Sequence, residues 1–305
     1  MDYDVIIIGG GPAGLSAGLY SARAMKKTLI LEKDVVGGQI TETSEVQNLP
    51  GSVEDMSGFS IAERMEKQAK DFGAIIKTEE VTDIQLDGEW KTVTTAENQY
   101  RARAVILATG SNPRKLGIPG EEEFTGRGVG YCATCDGAFY TDLPVYIVGG
   151  GDSAFDEGLF LANMVKSVTI LYRGDTPRAA KILQDRVAKK ENMSLELNTN
   201  IIDLSGDVVL NKMVTKNSKT GEEKTVEGDF GVFIFAGYVP NTKLFEGKLE
   251  MKDGYIAADE TTATAIPGVY AAGDVRKKSV RQVVTAISDG AVAAIAAGKY
   301  IDENF

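Results

Sequence analysis

The residues best suited to chemistry are Cys132 and Cys135, in the run Gly130-Tyr131-Cys132-Ala133-Thr134-Cys135-Asp136-Gly137. Two thiols at this spacing can close and reopen a disulfide with little backbone strain. They are the chain's two cysteines, and it has no histidine. A structural zinc site needs about four Cys or His ligands, which excludes that use. Without an imidazole, proton transfer falls to carboxylate, tyrosine, lysine or water. If Asp136-Gly137 lies at a helix entrance, the dipole lowers a thiol pKa, and the plain alternative for Asp136 is a helix N-cap. The inert alternative is a pair of buried thiols.

Two glycine-rich turns are the other chemical signals. Gly9-Gly10-Gly11-Pro12-Ala13-Gly14 follows an apolar run, and Glu32 stands 18 residues after Gly14. Glycines at these positions allow a tight turn, close approach to a pyrophosphate and close helix packing. The acid can bond a ribose hydroxyl. Gly149-Gly150-Gly151-Asp152-Ser153-Ala154 repeats the pattern, with Ala an accepted third residue. Tyr172 and Arg173 stand where an NAD site usually carries an acid. Arg173 and Arg178 match a 2′-phosphate instead, favouring NADPH over NADH. The plain alternatives are a turn that only packs backbone and two solvated arginines.

These motifs need strands before them and helices after them. Residues 3–8, 28–32, 144–148 and 167–172 read as strands, and 13–24 and 152–163 as helices. The result is two βαβ units about 140 residues apart. Residues 74–107 read as a small antiparallel sheet inserted in the first domain. Residues 111–120 and 237–245 read as crossings, 267–274 as a strand and turn, and 281–300 as an Ala-rich helix. The fold class is α/β, with two Rossmann-like dinucleotide-binding domains.

With 305 residues, 43% apolar and 25% charged, the chain can bury two cores. A net charge of −11 disfavours nucleic acid. No leader is read at the N-terminus, and no apolar run is read as reaching the roughly 18 residues that span a bilayer. The expected address is the cytoplasm, with no membrane partner.

AAGDV (271–275), followed by Arg281, Gln282 and Val283, resembles the second FAD fingerprint of the pyridine-nucleotide disulfide oxidoreductases. GGQI (37–40, with Gly38 and Gln39), Asn48 and Ala108-Thr109-Gly110 also resemble stretches lining the flavin there. CATCDG preceded by GRGV (126–129) is similar to the active-site segment of the low-molecular-weight thioredoxin reductases, and the likeness runs through essentially the whole chain.

The resemblance implies FAD at the first turn, with Asp274 at the ribityl or phosphate region. It implies NADPH at the second, with Arg127 near the nucleotide. Cys135 would face the flavin, Cys132 would attack a partner disulfide, and Asp136 would donate and accept the proton. It also implies an NADPH domain inserted in a discontinuous FAD domain, as 1–114 (FAD), 115–242 (NADPH, carrying the C-x-x-C) and 243–305 (FAD). The NADPH domain would rotate about hinges near the two crossings. The partner would be thioredoxin or a thioredoxin-like protein, and the assembly a homodimer. One departure stands out. Where the family shows H-R-R-x-x-x-R, this chain has Tyr172-Arg173-Gly174-Asp175-Thr176-Pro177-Arg178. Losing one guanidinium can weaken NADPH binding about ten-fold. NADH, ferredoxin and a non-catalytic flavin sensor are the alternatives.

Overall fold

The computed structural model describes residues 2–42, 46, 48–52 and 54–305. The chain divides into two compact units, Met1–Asn112 with Val239–Phe305, and Pro113–Tyr238.

The first unit opens with β1 (Asp2–Ile8), α1 (Pro12–Arg23) and β2 (Thr28–Glu32), followed by α2 (Gly58–Asp71), β3 (Ile75–Thr78), β4 (Val81–Gln85), β5 (Lys91–Thr95) and β6 (Gln99–Leu107). The sheet order is β3-β2-β1-β6-β5-β4. The small separate sheet expected over 74–107 is therefore corrected. β3 pairs parallel with β2, while β4 and β5 extend the same sheet antiparallel. The cause lies in β6. Its first half alternates exposed and buried residues and pairs with β5. Its second half, Ala104–Leu107, is apolar and buried. Such a run suits a strand covered on both faces.

The chain passes to the second unit through β7 (Ser111–Pro113). β8 (Val129–Gly130) and α3 (Ala133–Asp136) follow, then β9 (Pro144–Val148), α4 (Asp152–Leu161), β10 (Ser167–Tyr172), α5 (Lys181–Ala188) and β11 (Met193–Leu197). The order β11-β10-β9-β15-β8 is parallel throughout, with β15 at Gly231–Ile234. A three-stranded antiparallel sheet of β12 (Thr199–Gly206), β13 (Leu210–Asn217) and β14 (Glu223–Glu227) belongs to the same unit.

The chain returns through β16 (Tyr238–Pro240). A short hairpin, β17 (Met251–Lys252) and β18 (Tyr255–Ile256), precedes β19 (Val269–Ala271) and α6 (Val283–Asn304). β19 pairs parallel with the second half of β6. By length and composition, α6 could cross a membrane, contrary to the sequence expectation that no run reaches that length. Its place in the core explains the composition. A Cβ on Gly290 would lie 2.1 Å from the Ala13 carbonyl oxygen, so α6 lies directly against α1. Ala293, Ala294, Ala297 and Ile301 are buried in the core that α1 shares.

Candidate active site

In the first unit, the C-terminal ends of β1, β6 and β19 meet at one sheet edge. The Gly9–Gly14 turn leaves β1 there. A Cβ on Gly9 would lie 2.3 Å from the Ala108 carbonyl oxygen, and one on Gly14 would lie 1.9 Å from the Gly9 carbonyl oxygen. Gly9 also has a φ of 109°. Backbone thus excludes any side chain at either position. Gly11 differs, because its nearest neighbour would be 3.8 Å away. It is the N-cap of α1, with Pro12 in the first turn, so open space lies before a helix N-terminus. Glu32 ends β2 and accepts the Gly10 N–H at 2.6 Å and the Asp34 N–H at 3.0 Å. Its carboxylate therefore braces the turn.

The other flavin candidates gather at the same edge. Gly38 packs on Gly11, and Gln39 donates to the Ser111 carbonyl and to Asn112 Oδ1, both at 2.7 Å. Thr109 and Asn241 exchange two 2.8 Å bonds, while Asn241 N–H reaches the Gly110 carbonyl at 3.0 Å. Asn48 donates to Gln282 at 3.1 Å. Gln282 caps α6 before Val283 through a reciprocal box with Thr285. The Arg281 guanidinium lies 4.1 Å from the Tyr255 ring centre.

Asp274 supplies the test of fit. Among the described residues, its buried Oδ1 has no hydrogen-bond partner, and neither has Arg281 Nε. Burial raises the Asp274 pKa, opposed by Lys278 and Arg281. A buried acceptor lacking a donor is costly unless something satisfies it. The hydroxyls of a ribityl chain or the edge of a flavin would do so, and the residues present fit FAD.

Sequence reasoning missed what holds Asp274 there. Asp289, inside α6, accepts from Gly273 N–H and Arg276 Nε at 2.9 Å and from Lys278 Nζ at 2.8 Å. An acid within an Ala-rich apolar helix was the available signal. Asn241 was also missed, although Pro240-Asn241 lay in an expected crossing.

In the second unit, β8 and β9 both run parallel to β15. The strand ends therefore deliver the Cys132 segment and the Gly149 turn to one edge. Cys132 and Cys135 form a disulfide with Cα atoms 5.2 Å apart. The helix starts earlier than expected: Cys132 is the N-cap of α3, and Asp136 closes it. Asp136 leads into a 3-10 turn without capping it through its side chain. Asp136 thus stands at the N-cap position of that turn, but the alternative of a side-chain cap is not borne out.

Its carboxylate instead faces Gly130, where a Cβ would meet Asp136 Oδ2 at 3.0 Å and the Phe233 ring at 3.0 Å. Phe233 packs edge-on to Tyr140 at 5.3 Å. Burial alone pushes the Asp136 carboxyl up to about 6. Burial, with the Asp136 charge adding to it, pushes Tyr140 up to about 12. Next door, Tyr131 donates at 2.8 Å to Glu121, which is 1% exposed and also accepts from the Leu116 and Gly117 N–H groups.

The second turn is built differently from the first. A Cβ on Gly149 would meet Ala154 Cβ at 2.7 Å, whereas Gly151 is open. Asp152 begins α4 and accepts the Ala180 N–H at 2.7 Å, with Ser153 exposed beside it. The Tyr172 ring fills the space over Gly150. Arg178 N–H donates to the Gly150 carbonyl at 2.7 Å. Arg173 and Arg178 are exposed, and neither forms an ion pair among the described residues. Arg127, also exposed, bonds the Glu123 carbonyl.

A paired thiol site and two glycine-turn α/β units define a nucleotide-linked dithiol oxidoreductase. The pyridine nucleotide-disulphide oxidoreductase family model matches residues 3–290. The thioredoxin reductase of Peptoclostridium acidaminophilum is 48% identical over 99% of this chain and 98% of its own. That of Treponema pallidum is 47% identical, with the same coverage. The crystal structure of thioredoxin reductase from Streptococcus pyogenes aligns with a TM-score of 0.93 at 39% identity, covering 99% of both chains. The chain belongs to the pyridine nucleotide-disulphide oxidoreductase family, in the branch of the low-molecular-weight thioredoxin reductases. Enzymes of this branch use FAD and NADPH.

Proposed function

We propose that this protein passes electrons from NADPH through FAD and the Cys132–Cys135 pair to thioredoxin. The first unit holds FAD through Gly9, Gly11, Gly14, Glu32, Asp274 and the loops around Gln39, Asn48, Thr109 and Gln282. The second holds NADPH through Gly149, Gly151, Ala154, Arg173 and Arg178, with Arg127 alongside. The observation that carries the reading is the Cys132–Cys135 disulfide beside the half-buried Asp136.

FAD, when bound, supplies the two-electron chemistry that links hydride oxidation to disulfide reduction. Two electrons and two protons convert the Cys132–Cys135 bond into two thiols. The Cys132 thiolate attacks one sulfur of the thioredoxin disulfide and forms a mixed disulfide, expelling the other as a thiolate. Cys135 then attacks Cys132, restoring the internal bond and releasing the second thioredoxin thiolate. Two electrons have moved, and two protons complete the product dithiol. Asp136, with its pKa near 6, can give and take protons without histidine.

Cys135→Ser tests this reading. It should retain bound flavin and lose thioredoxin reduction, and unchanged turnover would refute the assignment. Stopped-flow flavin absorbance with NADPH, NADH and reduced ferredoxin tests the donor. We further propose a homodimer acting in the cytoplasm without membrane or nucleic-acid partners. The net charge of −11 and the core position of α6 support the lack of nucleic-acid and membrane partners, and sedimentation would check the assembly.

A further inference from the structure

The loop after β10 carries two arginines, Arg173 and Arg178, with Gly174 and Asp175 between them. Its near end is tied to the phosphate turn: Arg178 and Ala179 N–H both donate to the Gly150 carbonyl, at 2.7 and 3.0 Å. Its other side is tied elsewhere. The Asn198 N–H donates to the Gly174 carbonyl at 2.9 Å, and the Ser218 N–H donates to the Asn198 carbonyl at 2.7 Å. This ladder seats the β13–β14 turn against the loop.

The turn is itself braced. Asn217 Oδ1 accepts the Lys219 and Thr220 N–H groups at 2.9 and 3.0 Å, and the Gly221 N–H closes onto the Asn217 carbonyl at 2.8 Å. Lys219 Nζ then reaches Asp175 Oδ2 at 3.2 Å. Both side chains are more than half exposed, and such a pair adds little to stability. Its charge matters more. Arg173 and Arg178 share the loop with Asp175, whose carboxylate opposes a phosphate. Lys219 offsets that carboxylate and brings a further ammonium to the same loop.

We infer that Lys219, supplied from the separate β13–β14 hairpin, is a third cation beside Arg173 and Arg178 in a 2′-phosphate subsite. The inference rests on the NADPH reading of the second unit. An ammonium is a point charge on a flexible stem, so it can leave Asp175 for a phosphate without moving the backbone.

Calorimetric titration of the oxidised holoenzyme with adenosine 2′,5′-bisphosphate and with adenosine 5′-monophosphate tests it. The wild type should prefer the bisphosphate. Lys219→Met should weaken bisphosphate binding about ten-fold and leave the monophosphate unchanged, while Lys219→Arg should keep the preference. Asp175→Asn should strengthen the preference, because it frees Lys219. A full preference in Lys219→Met would overturn the inference and leave the NADPH reading standing. A wild type without preference would remove both.

Discussion

The Asp136 carboxylate occupies the space a side chain at Gly130 would need, with Oδ2 only 3.0 Å from where a Cβ would sit. The strand leading to Cys132 and the acid beyond Cys135 are thereby fitted to each other. Gly130→Ala should slow the thioredoxin half-reaction several-fold and leave flavin content unchanged. Rapid-mixing kinetics against a flavin spectrum would show this, and a full-rate variant would contradict it.

Asp136 also sets a pH dependence. Its folded pKa of about 6 lies above the ordinary 3.8. Between those values the folded chain holds a proton that the unfolded chain releases, so stability falls as pH rises through that window. Asp136→Asn should therefore stabilise the protein at pH 8, by on the order of 1–3 kcal/mol. It should also remove the inflection near pH 6 from the dithiol step. Melting curves at pH 4 and pH 8 check the first point, and a pH–rate profile checks the second.

Gly11 and Gly14 should separate binding from folding. Gly11→Ala has open space, so the melting temperature of the apoprotein should not change, while the new methyl blocks approach of a pyrophosphate. Gly14→Ala places Cβ 1.9 Å from a carbonyl oxygen and should impair folding as well. Flavin retention on gel filtration, paired with apoprotein melting, distinguishes them.

Asp274→Ala should lower flavin affinity ten-fold or more. Its unpartnered, buried Oδ1 costs free energy in the apoprotein, so the same substitution should leave the apoprotein as stable or more so. A variant that loses apoprotein stability and keeps its flavin would reverse the assignment.

Much of this arrangement was legible in residue order. Continuous apolar runs ending in glycine gave β1 and β9, because a strand covered on both faces leaves that trace. β6 was not legible as one element, since two pairing modes share a single strand. The start of α3 was misplaced because Cys132 caps it without the usual side-chain oxygen. The β12–β14 sheet was not read at all, although Thr220-Gly221 marks its turn. Asp289 and Glu121 were not assigned, although Asp289 stands out in its apolar helix, because their partners are backbone N–H groups or residues whose positions only the folded chain defines. Among the site candidates, residue order supplied the glycines and thiols, which carry fixed spacing. It did not supply the braces that aim Asp274 and Tyr131.

The split make-up of the first unit bears on synthesis. β19 and α6 complete the sheet and cover α1, yet they leave the ribosome after the whole of Pro113–Tyr238. The inserted unit can close its core while the amino-terminal third still shows the apolar faces of α1 and β6 to the cell. For that interval the nascent chain exposes apolar surface that the finished fold covers, the kind of surface that favours aggregation.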